Sequence, residues 1–434
     1  MSRNPRLLIV SYHFPPAESV GARRPGALAQ YAAAEGWDVR VLAGPLVAGA
    51  GTCPSPVDTT NAAAVRVTRS RMWFPERPVA AVRSAPGGSG RSATAPTRLV
   101  RQVNRLAREV LLLPDRQAGW AMPAVREFLR HGGQWRPDVI VASAPPFTGF
   151  VVARILAGRL GVPWVADYRD LWTVGNGYWP YGTSRLRRRL DHSLERRLVR
   201  SARSCVTVSE VLADTLRRAF DRPVRVVMNG IDPGPVVADR GPVAPGQTAR
   251  VTGNTVLTLA HTGVHYPGRR DPTPLLRAMA LLGPDRQRVR LILAGADSHA
   301  LRSAVVETGT GDQVTILGPV PVAESWRIQA EADVLVLLMW NDPRDVGTVT
   351  GKLFDYLRTR HPILMLGYPT GTAAGIIRSR GAGVVCNDPR QIADQLRSWL
   401  AAKERDGALP QLPAEALDGL YREDQMRAFL GVLV

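Results

Sequence analysis

The sequence predicts an α/β protein of two open parallel sheets, one in each half of its 434 residues. Short apolar runs alternate with longer amphipathic stretches, the pattern of strand and crossover helix repeated along a chain. The runs are continuous rather than alternating, as strands buried on both faces require. A Pro-rich stretch near the middle divides the pattern into two blocks, each about the size of one domain.

In order, residues 7–10 read as the first strand, 21–31 as a helix and 38–42 as a second strand, with Ser11-Tyr-His-Phe-Pro-Pro in the first loop. Further strands are expected at 138–142, 163–167 and 204–208, with a helix over 147–160. Between 43 and 96 the pattern gives way to Pro, Gly, Ser and Ala, and 84–96 reads as a mobile loop around Gly87-Gly-Ser-Gly-Arg. A helix over 99–113 is stopped by Pro114. Residues 1–232 thus make a first domain, and 233–253, with Pro233, Pro235, Pro242 and Pro245, a linker. The second domain, 254–410, restarts the alternation. Its strands are expected at 255–259, 290–294, 313–317, 334–339 and 362–366, and its helices at 273–282, 299–307, 322–331 and 351–359. The last segment, 411–434, is expected to pack back onto the first domain. Two such sheets joined by a linker place a cleft between them, and open sheets bind ligands beyond the carboxyl ends of their strands.

Composition narrows the class. With 45% apolar and 21% charged residues, the chain can bury real cores. No apolar run reaches the roughly 20 residues that span a bilayer, and the run after Met1-Ser-Arg-Asn-Pro-Arg is too short for a secretory leader. Cys53, Cys205 and Cys386 are scattered, with no CxxC pair, which fits a reducing cytoplasm. The net charge is +19, yet only Lys352 and Lys403 are lysines among 56 basic residues. That arginine bias reads partly as a coding signature. A basic surface still attracts anions. Nucleic acid is not expected, because no zinc-finger spacing or RNA-binding aromatic motif accompanies the charge.

The most informative stretch starts at Gly347 and runs through Thr350-Gly-Lys-Leu-Phe-Asp355. It follows an apolar strand and opens a helix near Gly351. A helix N-terminus offers free N–H groups to a phosphate, and Thr350 and Gly351 stand there. Lys352 adds a compact cation in a chain that otherwise uses arginine. Asp355, one turn on, stands where a carboxylate can accept from ribose hydroxyls; the plainer alternative is a Lys–Asp surface pair. Asp167-Tyr-Arg-Asp170 follows a buried strand, so Arg169 and Asp170 either touch a ligand or fix the loop. His13, His261 and His265 lack metal-ligand spacing and read as structural or rim residues, with His13 and His265 toward the cleft. No metal site is expected. Residues 184–203 carry eight arginines and Leu186, Leu190, Leu194 and Leu198 at four-residue spacing. That stripe either packs inward or, beside Gly177-Tyr-Trp-Pro-Tyr, rests on an anionic membrane.

Several strings together resemble a family: Leu8-Ile-Val-Ser-Tyr-His-Phe-Pro-Pro with Gly21-Ala-Arg-Arg, Pro137-Asp-Val-Ile-Val-Ala-Ser-Ala-Pro-Pro, Val165-Ala-Asp-Tyr-Arg-Asp-Leu-Trp, Val206-Thr-Val-Ser with Asn229-Gly-Ile-Asp, and Gly351-Lys-Leu-Phe-Asp-Tyr-Leu. They look like a GT-B glycosyltransferase of family 4, near its fucosamine-transferase-like branch, over nearly the whole chain except 43–96. The resemblance implies two Rossmann-like domains facing across a cleft, acceptor side first. It implies a retaining transfer from a UDP- or GDP-linked sugar to a hydroxyl, with no cofactor. The acceptor is a lipid-linked saccharide or a small molecule, and the protein is cytoplasmic, with peripheral membrane contact through 185–203. It places Gly21 near the donor phosphates. After Thr262-Gly263, Arg269 or Arg270 meets the pyrophosphate, Arg270 being preferred. Lys352 is assigned to the phosphate and Asp355 to the ribose. Where relatives carry a first acid, eight residues before Asp355, this chain has Gly347; Asp342 and Asp345 are out of register. No counterpart is found for the first-domain histidine of many relatives, and Ser143 stands near its place. The missing acid leaves a non-catalytic binder of the same fold as one alternative, and the charge alone leaves a basic nucleic-acid-binding protein as a second.

Overall fold

The computed structural model describes residues 3–17, 19–46, 65–73, 112–175, 184–232, 255–266, 268–295 and 297–434. The loop expected at 84–96, the linker at 233–253, the aromatic string at 177–181 and nearly all of the helix expected over 99–113 lie outside the described residues. The chain divides into two units, Met1–Met228 with Met426–Val434, and Asn229–Gln425.

The first unit is built on seven parallel strands: β1 (Arg6–Ser11), β2 (Asp38–Ala43), β3 (Val65–Arg69), β4 (Val139–Ala144), β5 (Trp164–Tyr168), β6 (Ser204–Thr207) and β7 (Val224–Val226). They lie in the order β3-β2-β1-β4-β5-β6-β7. The apolar runs supply both faces of the sheet at once. Leu8, Val10, Ile140, Ala142 and Trp164 pack on one side, and their neighbours Leu7, Ile9, Val139, Val141 and Val165 on the other. The second side is covered by helix Val20–Ala34 together with Met426, Phe429, Leu430 and Leu433 of the C-terminal helix. The last nine residues therefore belong to the first unit, although the helix that carries them starts in the second.

Four elements here were not legible, among them β7, which is only three residues long. Strand β3 falls in the stretch read as irregular, because it is a partly exposed edge strand without a continuous apolar run. Helices Ala121–His131 and Glu210–Phe220 bury only a few residues each. The helix over the arginine-rich stretch, Arg185–Ser201, is capped by the Ser184 hydroxyl, which accepts from the Arg187 N–H at 3.1 Å. Its leucine stripe faces inward only toward its C-terminal end, where Leu198 is buried and Leu194 packs on the core. Leu186 is 53% exposed, whereas Arg187, Asp191, Glu195, Leu198 and Val199 are buried. The polar members of this inward line are paired: Arg187 donates to Asp191 at 2.6 Å and to the Pro114 carbonyl at 2.7 Å. Glu195 accepts from the Thr173 N–H and the Tyr168 hydroxyl, both at 3.0 Å.

The second unit repeats the plan with β8 (Leu257–Thr262), β9 (Val289–Ala294), β10 (Val314–Gly318), β11 (Val334–Leu338), β12 (Ile363–Leu366) and β13 (Gly383–Val385). Their order is β10-β9-β8-β11-β12-β13, all parallel. In each sheet the winding direction reverses beside the first strand, between β1 and β4 and between β8 and β11. Such switch points are where open sheets bind ligands. Among the described residues, no helix is long and apolar enough to cross a membrane.

Candidate active site

At the β8/β11 switch point the chain runs His261-Thr262-Gly263. His261 is 2% exposed, and its Nδ1 lies 2.8 Å from the Val336 carbonyl oxygen. A carbonyl only accepts, so Nδ1 carries the proton and Nε2 keeps its lone pair. Nε2 is buried without a hydrogen-bond partner among the described residues. Burial first, then the positive charges of Lys352 and Arg270, push the imidazole pKa down to about 3. It is neutral at physiological pH.

Gly263 explains why a glycine is needed here. A Cβ at that position would lie 2.4 Å from Lys352 Cε, 3.1 Å from Lys352 Nζ and 3.0 Å from His261 Nε2. The lysine head group thus occupies the volume a side chain would fill. Behind it Gly295, at φ +93°, stacks on the Gly263 backbone; a Cβ there would stand 3.0 Å from the Gly263 carbonyl carbon. Lys352 belongs to the first turn of helix Gly351–Thr359, and the cap hydroxyl of Thr350 accepts weakly from its N–H at 3.4 Å. The helix is locked to β8 by Tyr356, whose hydroxyl accepts from the Thr262 N–H at 2.9 Å. Gln329 adds a 2.8 Å bond to the Thr262 hydroxyl. Asp355 stands half-buried one turn after Lys352.

The two arginines after Gly263 lie on aromatic faces. Arg269 stacks at 4.5 Å over Trp340, which Arg344 also covers at 4.3 Å, and Arg270 lies 5.0 Å over Tyr266. Asp345 faces this pair. Burial raises its pKa, and hydrogen bonds from Thr348 and the Trp340 backbone, then the charges of Arg270 and Arg269, oppose the rise. Asp342 instead spends both oxygens on Arg344 at 2.7 Å. Counting residues back from Asp355 puts Asp345 out of register, with its reach to the site left open. The short turn Pro343–Asp345 after β11 brings it to the arginines regardless of that count. Gly347, at the expected acid position, is buried.

In the first unit His13, Gly21 and Arg169 converge at the β1/β4 switch point. A Cβ on Gly21 would lie 2.6 Å from Arg169 Nη1 and 3.2 Å from His13 Cδ2. Helix Val20–Ala34 starts here, capped by the Ser19 hydroxyl at 3.2 Å from the Gly21 N–H. Arg169 is held by the carbonyls of Ala144 and Pro145. Burial, aided by the Arg169 charge, pushes His13 down to about 4. Asp170 stands exposed beside Arg169. Ser143 is a correction: it is buried, not on the rim, and donates its hydroxyl to Asp167 at 2.8 Å. The centre of that network is Arg24, which sequence reasoning passed over within Gly21-Ala-Arg-Arg. Arg24 Nε lies 2.9 and 3.0 Å from the two Asp167 oxygens, and Nη1 donates to the carbonyls of Val227 and Met228. A buried ion pair of this kind gave no signal in composition or spacing. Among the described residues no cluster of three His, Cys, Asp or Glu side chains could hold a metal ion.

Two parallel sheets of seven and six strands, each with its basic residues and glycines at the switch point, define a GT-B protein. Residues 22–234, just under half of the chain, match the family model described as Glycosyltransferase Family 4. The fold is shared with solved proteins at low identity. Sucrose-phosphate synthase (tll1590) from Thermosynechococcus elongatus aligns with a TM-score of 0.62 at 16% identity, over 99% of this chain and 98% of its own. Anabaena Alr3699/HepE, in complex with UDP and glucose, aligns with a TM-score of 0.59 at 13% identity, over 98% of each chain. WaaG, a glycosyltransferase involved in lipopolysaccharide biosynthesis, gives 0.52 at 15% identity, over 98% of this chain and 95% of its own. No curated protein matches the sequence. The fucosamine-transferase-like branch is not singled out by these likenesses.

Proposed function

We propose that the chain transfers a sugar from a nucleoside diphosphate donor, UDP- or GDP-linked, to an acceptor hydroxyl, with retention and without a metal. The observation that carries this reading is the cradle at Gly263, where a lysine head group, a helix N-terminus and bare glycine backbone meet. Leaving diphosphate develops negative charge as the glycosidic C–O bond breaks. Fixed cations and N–H groups aimed at that charge supply the largest share of such catalysis. Lys352 and Arg270 are the catalytic cations in this reading. Gly263, Arg269, Thr350, Gly351 and Asp355 bind the donor in this reading, and Gly21 is the further donor-binding residue that the family resemblance assigns. The acceptor oxygen bonds to the anomeric carbon on the face the phosphate leaves, and its proton passes to the departing phosphate oxygen. His13, Arg169 and Asp170 would line the acceptor side. HepE binds UDP and UDP-glucose in its solved complexes, which favours a uridine nucleotide here as well. Asp345 beside Arg269 and Arg270 supplies a carboxylate where Gly347 has none, which weakens the reading of a chain that only binds.

Titration calorimetry with UDP, GDP and their sugar conjugates tests the proposal. One nucleotide class should bind, and Lys352→Ala should weaken it at least about tenfold, the loss of roughly 1.4 kcal/mol. Binding unchanged in Lys352→Ala would overturn it. For the acceptor, co-sedimentation with anionic vesicles tests the lipid-linked class. The exposed Arg185, Leu186, Arg188 and Arg189 are the surface that would touch the membrane.

A further inference from the structure

A second basic site lies in the first unit, at the carboxyl end of β3. A cavity of about 420 Å³ is walled on one side by Arg69, Ser70, Arg71 and Trp73 and on the other by Arg126, Glu127 and Arg130. Residues 126, 127 and 130 share one face of helix Ala121–His131, while Ala121, Ala124, Val125 and Phe128 bury the opposite face in the core. Like charges four residues apart on a helix repel. Arg126 and Arg130 are such a pair, and they face two more arginines across the cavity. The single carboxylate, Glu127, lies 3.2 Å from His131. Among the described residues Arg71, Arg126 and Arg130 have no acidic partner.

Two further features mark a built site rather than a charged surface. Arg69 is fixed: it donates to the carbonyls of Gly44 and Phe14 at 3.2 Å and of Pro15 at 2.6 Å. Its charge is thereby held at the cavity and tied to the loop that carries His13. Ser70 is 4% exposed, and its hydroxyl has no hydrogen-bond partner among the described residues. A buried donor left unpaired costs stability unless a ligand satisfies it. Arg126 is braced on the Trp73 ring at 4.9 Å.

We propose that this cavity binds a phosphoryl group carried by the acceptor, with Arg71, Arg126, Arg130 and the Ser70 hydroxyl donating to its oxygens and Arg69 supplying fixed charge. Four guanidinium groups against one carboxylate suit a dianion. Planar guanidinium forks suit phosphate oxygens. The assignment to the acceptor rests on the glycosyl-transfer reading; the anion site does not. The same phosphoryl chemistry occurs in a soluble sugar phosphate and in a lipid-linked saccharide.

The test is titration calorimetry on the full chain with glucose 6-phosphate, with glucose, with glucosyl pyrophosphoryl-farnesol in detergent micelles, and with UDP. Each is repeated on Arg126→Gln/Arg130→Gln, a change on an exposed helix face that keeps helix propensity, and on Ser70→Ala. A Lys352→Ala background excludes phosphate bound at the Gly263 cradle. At least one phosphorylated probe should bind, and glucose should not. The double variant should weaken that probe by about tenfold or more and leave UDP unchanged. The probe so affected names the soluble or the lipid source. If both probes bind the double variant as they bind the parent, or neither binds the parent, the proposal falls while UDP binding still decides the transferase reading. If UDP fails to bind while a probe depends on the arginines, the transferase reading falls and the anion site stands.

Discussion

Gly263→Ala tests the cradle through the volume it removes. The new methyl would sit 2.4 Å from Lys352 Cε, roughly 1 Å inside the contact distance of about 3.5 Å between carbons. The atoms in its way are the end of a flexible side chain, so the lysine moves and the fold does not. In the proposed reading, moving the ammonium off the Gly263 backbone removes a charge-assisted contact to the donor diphosphate. Such a contact is worth about 1.5–3 kcal/mol, which corresponds to roughly a 10- to 150-fold rise in Kd. UDP affinity measured by calorimetry, beside thermal unfolding, reads both quantities. The decisive comparison is a cycle with Lys352→Ala. Once the lysine is truncated, the methyl has room, and adding Gly263→Ala should change Kd less than about twofold, because the two substitutions share one interaction. Losses that simply add, or a Gly263→Ala protein that binds UDP like the parent, would refute the reasoning.

Arg169→Met removes the charge beside His13, so the His13 pKa should rise from about 4 while burial still holds it below the ordinary value. An NMR titration that finds no rise would show that the two groups are not coupled. Arg24→Met strands the buried Asp167 with only Ser143, and urea unfolding should register a loss of about 3–5 kcal/mol; a loss under about 1 kcal/mol would contradict the pairing. Glu195 is fully buried, and burial pushes its pKa from 4.5 up to about 7. Between those values the folded chain holds a proton the unfolded chain releases. Stability should therefore fall as pH rises from about 4.5 to about 7, by on the order of 3 kcal/mol, and then level off. Glu195→Gln should flatten that slope; an identical slope in the variant would place its origin elsewhere.

Much of the fold was legible because parallel strands announce themselves. β11 is apolar throughout, and β1 and β4 carry the unbroken apolar runs Leu7–Val10 and Val139–Ala142, since helices cover both faces. β3 was hidden by being an edge strand with one exposed face, where Val65-Arg-Val-Thr-Arg alternates and blends into its polar surroundings. At the site, the glycine-lysine string at 351–352 showed where a helix would open toward a ligand. Spacing along the chain could not show that Lys352 lies over Gly263, 89 positions earlier in the chain, because only the pairing of β8 with β11 brings them together. The same limit left Asp345 out of register and passed over Arg24. Each acts through partners that are remote in sequence or placed by a turn that residue counting ignores. The leucine stripe at 186–198 marked only part of the inward face, since Leu198 is buried and Leu194 packs on the core while Leu186 is exposed. Ion pairs and hydrogen bonds let Arg187, Asp191 and Glu195 join that face, which periodicity of apolar residues cannot show.

The two sheets solve one electrostatic problem in the same way. Each places a histidine where its first strand ends, His13 after β1 and His261 in β8, and follows it with a glycine whose side-chain volume is taken by a cation. In the first unit the cation is Arg169 over Gly21, and in the second Lys352 over Gly263. In both, burial and the neighbouring positive charge hold the imidazole neutral, at about 4 and about 3. A charged imidazole so close to a guanidinium or ammonium would repel it, and the cation would swing away from bare backbone. A neutral ring packs against the cation without that repulsion and adds no charge of its own that changes between pH 5 and 8. The glycine contributes space and the histidine contributes a polar wall of constant charge, so the cation's position depends on packing rather than on pH. Substituting either histidine by lysine would break this arrangement by charge alone, whereas glutamine, neutral and polar at every pH, would preserve it.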